Sequence, residues 1–221
     1  MLDLADEEQR FRRIGDFVRQ DAEAGLAVGR QLIASAAARE RCLGADVLGQ
    51  LAPIAPAARG QIVSELLAAL DPEDEGEVIA SLVVALGHAA DRRAKGVLIS
   101  LSGHLASSVR FAVAFALPVL GLDEETMDTL RLLSRDSDPD VRDWATFALA
   151  ESDLTDEQTR EALLARTGDE DDDTRAEAIY GLARRRDPRA GEFVERELAS
   201  RSVGALILRA RDELASGDPE A

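Results

Sequence analysis

The feature that most constrains this chain is an internal repeat, because a sequence that copies itself every thirty-odd residues folds as stacked copies of one small unit. Asp136-Ser-Asp-Pro-Asp-Val-Arg-Asp-Trp-Ala145 lies over Asp169-Glu-Asp-Asp-Asp-Thr-Arg-Ala-Glu-Ala178 at an offset of 33, matching the alternate acids and the Arg-x-x-Ala step. Stepping back by 32, Val109-Arg110, Phe115 and Leu117 repeat Val141-Arg142, Phe147 and Leu149, with Val113 at the place of Ala145. A weaker copy holds Val78-Ile79 and Leu86, and Arg41 with Leu48 reads as a degenerate first copy. The register runs Arg41, Ile79, Arg110, Arg142, Arg175 and Gly204, in steps of 38, 31, 32, 33 and 29.

Each copy reads as two helices, since apolar residues recur at three and four spacing and nowhere alternate strictly. Thr155-Asp-Glu-Gln158 has the form of a capping box for a first helix, and a second helix follows the acidic segment to about Ala183. Asp71-Pro72, Asp138-Pro139 and Asp187-Pro188 read as helix starts, aspartate accepting from free amides and proline taking the first turn. A pair of about 32 residues cannot bury its apolar face alone, so the expected fold is all-α, a right-handed solenoid of stacked pairs forming one domain. Residues 1–36 are expected to cap it, with Phe11, Ile14, Phe17 and Val18 inward and Gln9, Arg12, Arg13 and Asp16 outward. Residues 38–215 hold the repeats, closing on a helix from Val203 to Leu214, and 216–221 read as a frayed tail.

Asp138-Pro-Asp-Val-Arg-x-x-Ala145, with Val109-Arg110 and Arg175 to Ala178, resembles the short HEAT-like repeats of the bilin-lyase type, which also occur in many bacterial adaptors. The resemblance covers about Ala38 to Leu214 and implies the fold; such repeats host many functions. The Trp-x-x-Leu-Gly and Thr-Pro-Leu-His signatures of tetratricopeptide and ankyrin repeats are absent.

Composition narrows the partner. The net charge is −17, which repels phosphate backbones and anionic lipid, so neither nucleic acid nor membrane is an expected partner. Cys42 is the sole cysteine and fits a reducing compartment; with an acidic amino terminus and no apolar run of about 18 residues, the expected setting is the cytoplasm. Lys95 is the sole lysine and asparagine is absent, a bias of GC-rich bacterial coding. His88 and His104 are too few for a metal cluster, and their places beside Gly87 and Gly103 read as helix ends, explained by favourable dipole contact or by simple exposure. No catalytic residue, cofactor or metal is expected. The histidine–glutamate pairs of deoxyhypusine hydroxylase, a metal enzyme with similar repeats, are missing; alkylpurine DNA glycosylases on related repeats would need a basic groove where this chain offers Asp143-Trp144.

Three sets of residues recur with the repeat. Arg110, Arg142 and Arg175 form a ladder that could bind anions, but which is read as forks holding carboxylates between repeats. The acids Glu73, Glu75, Glu77, then Asp136, Asp138, Asp140, then Asp169, Asp171, Asp173 fall on one edge, where helix dipoles favour them. Asp136, Asp140, Asp169 and Asp173 are the expected acidic rim for a basic partner. Five of the eight aromatic residues, Phe111, Phe115, Trp144, Phe147 and Tyr180, lie in three successive second helices, with Phe115, Phe147 and Tyr180 equivalent. They are expected either to line a concave groove, with Asp143 and Trp144 beside them, or to fill the gaps between repeats. The expected function is a non-catalytic scaffold gripping a basic or amphipathic protein segment. The bilin-lyase resemblance implies an alternative, an enzyme or subunit whose groove holds a tetrapyrrole steered by Asp143 or Arg142.

Overall fold

A computed structural model describes residues 4–199 and 204–216; among them are thirteen α-helices and no strand. Two compact units, Met1–Gly121 and Leu122–Ala221, divide the chain. The first holds α1 (Leu4–Gln20), α2 (Ala22–Ile33), α3 (Ala38–Leu51), α4 (Pro56–Leu70), α5 (Gly76–Ala89), α6 (Lys95–Ser100) and α7 (Ser107–Ala116). The second holds α8 (Glu124–Leu133), α9 (Pro139–Glu151), α10 (Glu157–Leu164), α11 (Asp172–Arg184), α12 (Ala190–Leu198) and α13 (Ala205–Ala215).

Aspartate begins many of these helices because its carboxylate accepts amides that the first turn leaves unpaired. Asp138 accepts from Asp140 and Val141, Asp123 from Thr126, Asp171 from Thr174. The capping box at Thr155 is displaced by one residue: Asp156 is the cap, and it takes both the amide and the hydroxyl of Thr159 at 2.9 and 2.8 Å. Asp71-Pro72 is not a helix start, since Asp71 closes α4 in helical backbone. The N-cap of α5 is Glu75, which makes no side-chain cap bond, and Glu73 holds the turn before it by accepting from the amides of Asp74 and Glu75.

Second helices pack side by side, α3 on α5 and α5 on α7 in the first unit, α9 on α11 and α11 on α13 in the second. Their inner faces form the core, with Leu48, Leu82 and Leu86 fully buried in one unit and Leu149 and Leu182 in the other, where Leu163 of α10 joins them. Burial of each such leucine contributes on the order of 1.5–3 kcal/mol.

The seam between second helices follows a rule. The residue eight past the register position meets the residue six past it in the next helix, and both are small: Gly49 against Ala85, Gly87 against Ala116, Ala150 against Gly181. A Cβ on Gly49 would stand 2.8 Å from Ala85 Cα, and one on Gly181 2.9 Å from Ala150 Cα. One glycine in each seam lets the backbones close in.

Two expectations change at the ends. On α1, Ile14 and Val18 are buried as expected and Gln9, Arg12, Arg13 and Asp16 face out, but Phe11 and Phe17 stay largely exposed. The Phe11 ring leans on His88, 5.8 Å away, and His88 meets Phe115 edge-on at 5.8 Å. His88 does lie in the last turn of α5, as expected, but it is half-buried rather than exposed, and burial lowers its pKa. At the other end, the register position three residues into α13 is Leu208, not Gly204, which is the N-cap. The last step is then 33, like its predecessor. Val203 and the tail residues 217–221 lie outside the described residues.

An acidic and aromatic face on the second helices

The arginine ladder is a locking device. Arg41, Arg110 and Arg142 each donate from Nη1 to the carbonyls six and five residues upstream, tying the helix to the turn before it: Ser35 and Ala36, His104 and Leu105, Asp136 and Ser137. Arg175 makes the first of these contacts, to Asp169. In Arg41 and Arg142 the rest of the guanidinium forks a carboxylate of the following repeat. Arg41 reaches Glu73 at 2.7 and 3.0 Å, and Arg142 reaches Asp169 at 3.1 and 3.0 Å. Arg41 thus marks a true repeat. Ile79 lacks the arginine, and the position that would answer it, His104, lacks the acid.

Each acidic triplet divides its labour. The first acid is drawn into the turn: Glu73 and Asp169 accept a fork, and Asp136 accepts the amide of Asp138 at 2.9 Å. The second stands at the helix start, and the third, Glu77, Asp140 or Asp173, is exposed. Of the expected rim, Asp140 and Asp173 face solvent. Asp169 does not: its side chain is 4% exposed and gripped by Arg142 and Arg166. Burial works to raise its pKa, but the Arg142 fork, the Asp171 amide and nearby cations outweigh it and hold the carboxyl low.

The aromatic stripe divides in the same way. On α9, Asp140, Asp143, Trp144, Phe147 and Glu151 recur at three and four spacing, all at least partly exposed, opposite the buried Val141, Ala145 and Leu149. Phe147 is 39% exposed and meets the Trp144 ring edge-on at 5.7 Å. Phe111 and Phe115 on α7 are half-buried in their own unit. Tyr180 is a correction: it is 3% exposed, a core residue packed with Ile179 and Leu182. Its hydroxyl accepts from Arg209 Nη2 at 2.7 Å, and the same guanidinium lies 4.6 Å over its ring, which settles the polar tip of a buried tyrosine.

Asp143 on α9 and Glu177 on α11 stand out electrostatically. Burial, then Asp171, Asp173 and Asp140, push the Asp143 carboxyl up to about 6. Burial, then Asp143 and Glu151, push Glu177 up to about 7 against the opposing charge of Arg209. Asp143 Oδ1 and Glu177 Oε2 are shielded from solvent and have no hydrogen-bond partner. Glu177 was not singled out by sequence because it aligns with Trp144, so the repeat hides it; its spacing from Asp173 and Tyr180 on the α11 wheel was the available signal.

Arg185 was missed too. It is buried without a facing carboxylate, and serves as a cap for the end of α9. Nη2 donates to the carbonyls of Leu149 and Ser152, both at 2.7 Å, Nη1 to Ala150 and Gly181, and Nε to Leu154. Burial, then Arg184 and Arg160, lower its pKa to about 10, so it remains a cation at neutral pH, where a helix C-terminus favours one.

Among the described residues no group of three or more His, Cys, Asp or Glu is placed to hold a metal ion, and no helix is long and apolar enough to cross a membrane. Open depressions of about 510 and 360 Å³ occur in the second unit, one between α8 and α10 beside Leu122, Met127 and Leu154, the other around the Arg142–Asp169 fork.

Paired helices, a recurring arginine lock and a small-residue seam define an α-helical repeat protein, and the sequence profile of HEAT repeats matches residues 63–150 and 126–215. The chain belongs to the HEAT-repeat family. Protein YibA of Escherichia coli strain K12 is 34% identical over 109 residues, which span 49% of this chain and 39% of YibA. The chain thus matches well under half the length of that relative. The X-ray structure of Escherichia coli YibA is similar over 94% of this chain and 81% of its own, with a TM-score of 0.75 at 21% identity. A designed armadillo repeat protein in complex with the peptide (KR)4 is similar over 86% of this chain and 98% of its own, with a TM-score of 0.64 at 18% identity. These similarities establish the α-solenoid fold.

Proposed function

We propose that this chain is a non-catalytic scaffold that captures a basic protein segment on the second-helix face of residues 122–221. The observation that carries the reading is the gathering of Asp140, Asp143, Asp173 and Glu177 beside the exposed Phe147 ring, on a chain of net charge −17. Unpaired carboxylates attract a cationic segment and speed its arrival, and an exposed ring gives it an apolar anchor. The designed armadillo protein that holds (KR)4 supports the choice, since a similar fold there carries a basic peptide. Nucleic acid and membranes remain outside the proposal on grounds of charge. The reading includes the single domain and cytoplasmic setting expected from the sequence; within the first unit, and separately from this face, Phe111 and Phe115 on α7 are proposed as partner-binding rings.

The test is fluorescence anisotropy with labelled (KR)4 and an acidic control of equal length, at low and high salt. Saturable binding of (KR)4 that weakens with salt, without binding of the control, is the expected result. Equal binding of both peptides, or of neither, overturns the reading.

A further inference from the structure

Consecutive first helices are bridged in two places by an arginine at the same register position, fourteen residues past Ile79 in one copy and past Arg175 in the other. Arg93, just ahead of α6, is held by both oxygens of Asp91 and reaches back to α4, where it donates to the Gly60 carbonyl at 2.9 Å and the Ser64 hydroxyl at 3.1 Å. Arg189, at the start of α12, is held by both oxygens of Asp187 and reaches back to Glu161 and, at 3.9 Å, Glu157 on α10. Between α8 and α10 the pattern breaks. Leu154 stands at the place of Asp91 and Asp187, and the place of the arginine is taken by Asp156, which caps α10 and accepts from Arg131.

The surface opens at this break. The depression of about 510 Å³ lies here, with buried Met127 at its floor and Leu122 and Leu154, 38% and 39% exposed, beside it. A second depression of about 350 Å³ continues it along the same two helices, sharing Arg131, Glu157 and Gln158. Glu124 occupies on α8 the place that Glu157 holds on α10, and both are exposed at the rim. Arg131 is already committed to Asp128, Asp156 and Thr159.

We propose that the trough between α8 and α10 is a second docking place, whose occupant is an amphipathic helix of a partner protein carrying an arginine one turn from a leucine-sized apolar residue. The arginine takes the role that Arg93 and Arg189 play in the other two bridged grooves, and meets Glu124 and Glu157. The apolar residue covers Leu122, Met127 and Leu154, in the manner of a helix laid into an apolar groove. Guanidinium suits the rim better than ammonium, because its planar donor set can serve carboxylates on two helices at once. A second copy of this chain is disfavoured as the occupant by its net charge of −17. This docking place uses other helices and other residues than the second-helix face and stands independently of it.

Met127 supplies the readout, since the one other methionine in the sequence is Met1. The full chain, labelled with ¹³C-methyl methionine, is titrated with a capped alanine-based helical peptide bearing leucine and arginine four residues apart. Two control peptides replace arginine with citrulline, which keeps the shape and removes the charge, or leucine with alanine. The parent peptide should shift the Met127 methyl signal saturably, and either replacement should weaken binding about tenfold or more. Glu124→Gln/Glu157→Gln should bind the parent peptide several-fold more weakly and lose most of the preference for arginine over citrulline; both glutamates are exposed, so the variant is expected to fold. No saturable shift, a shift that survives both replacements, or a double variant that still discriminates arginine from citrulline like wild type overturns the proposal.

Discussion

Arg142 and Asp169 belong to different repeats, yet the guanidinium takes both carboxylate oxygens at 3.1 and 3.0 Å while its remaining nitrogen holds the carbonyls of Asp136 and Ser137. One side chain therefore joins a helix to its own turn and to its neighbour's turn. A long, always-charged, planar donor set can do this, and lysine cannot.

Arg142→Ala should lower unfolding stability by about 2 kcal/mol, because buried Asp169 loses its two-toothed fork and keeps only the single Arg166 contact and the Asp171 amide. Arg142→Lys should recover less than half of the loss. Urea denaturation followed by circular dichroism measures both; a lysine variant as stable as wild type would contradict the fork.

Arg185→Met keeps much of the side-chain volume but abandons the carbonyls of Leu149, Ala150, Ser152 and Leu154. The expected cost is about 3 kcal/mol or more, through several buried acceptors losing a charged donor. Hydrogen exchange should show the end of α9 opening first.

The repeat spacing, the all-helical pairing and the arginine lock were legible in the sequence because they recur, and recurrence is visible without structure. What recurs only in space was not legible. Arg185 follows the last turn of α11 and finds acceptors thirty residues away, with no copy elsewhere to draw attention to it. Tyr180 shares its register with Phe147 and Phe115, and the pattern treated them alike. The structure separates them because Arg209 on α13 meets the Tyr180 hydroxyl, which allows that ring to be buried while Phe147 remains open. Asp169 and Asp173 likewise look equivalent in a row of acids until Arg142 selects one of them.

Tyr180 and Phe147 should consequently respond differently to truncation. Tyr180→Ala is expected to cost about 3–5 kcal/mol, and Tyr180→Phe about 1 kcal/mol through the lost hydroxyl bond. Phe147→Ala should cost under about 1.5 kcal/mol and show its effect in (KR)4 binding instead. Parallel melting and anisotropy measurements on the three variants check this.

Stability should rise as the pH is lowered from 8 towards 5.5 to the extent set by Asp143 and Glu177. Their folded pKa values, about 6 and about 7, lie above those of an unfolded acid. The native state then binds more protons in this window and is favoured by acid. Below about pH 4 the trend reverses, as Asp169 and Glu73, whose pKa values are lowered by their arginine partners, become protonated. His88 opposes the first trend, its lowered pKa favouring the unfolded state as pH falls. The decisive comparison is therefore with Asp143→Asn/Glu177→Gln, whose melting temperature should gain less on acidification than that of wild type.

Gly181→Ala should destabilise by about 1–2 kcal/mol, since the added Cβ meets Ala150 Cα at 2.9 Å and the strain outweighs the gain in helix propensity. Gly191→Ala, where a Cβ meets nothing within 4 Å, should be neutral or stabilising. Equal effects of the two in chemical denaturation would show that the seam is looser than its geometry.

The lock has its two halves in different copies, with consequences for how such a chain can change length. Duplicating or deleting one copy moves an arginine beside a new successor, and the junction holds if that successor brings an acid six residues ahead of its own register position. The stretch from Ile79 to His104 is the one place in the first unit where neither half is present. A junction there has no charged grammar to violate, and insertions or exchanges of whole copies should be tolerated at that point more readily than between Arg41 and Glu73 or between Arg142 and Asp169.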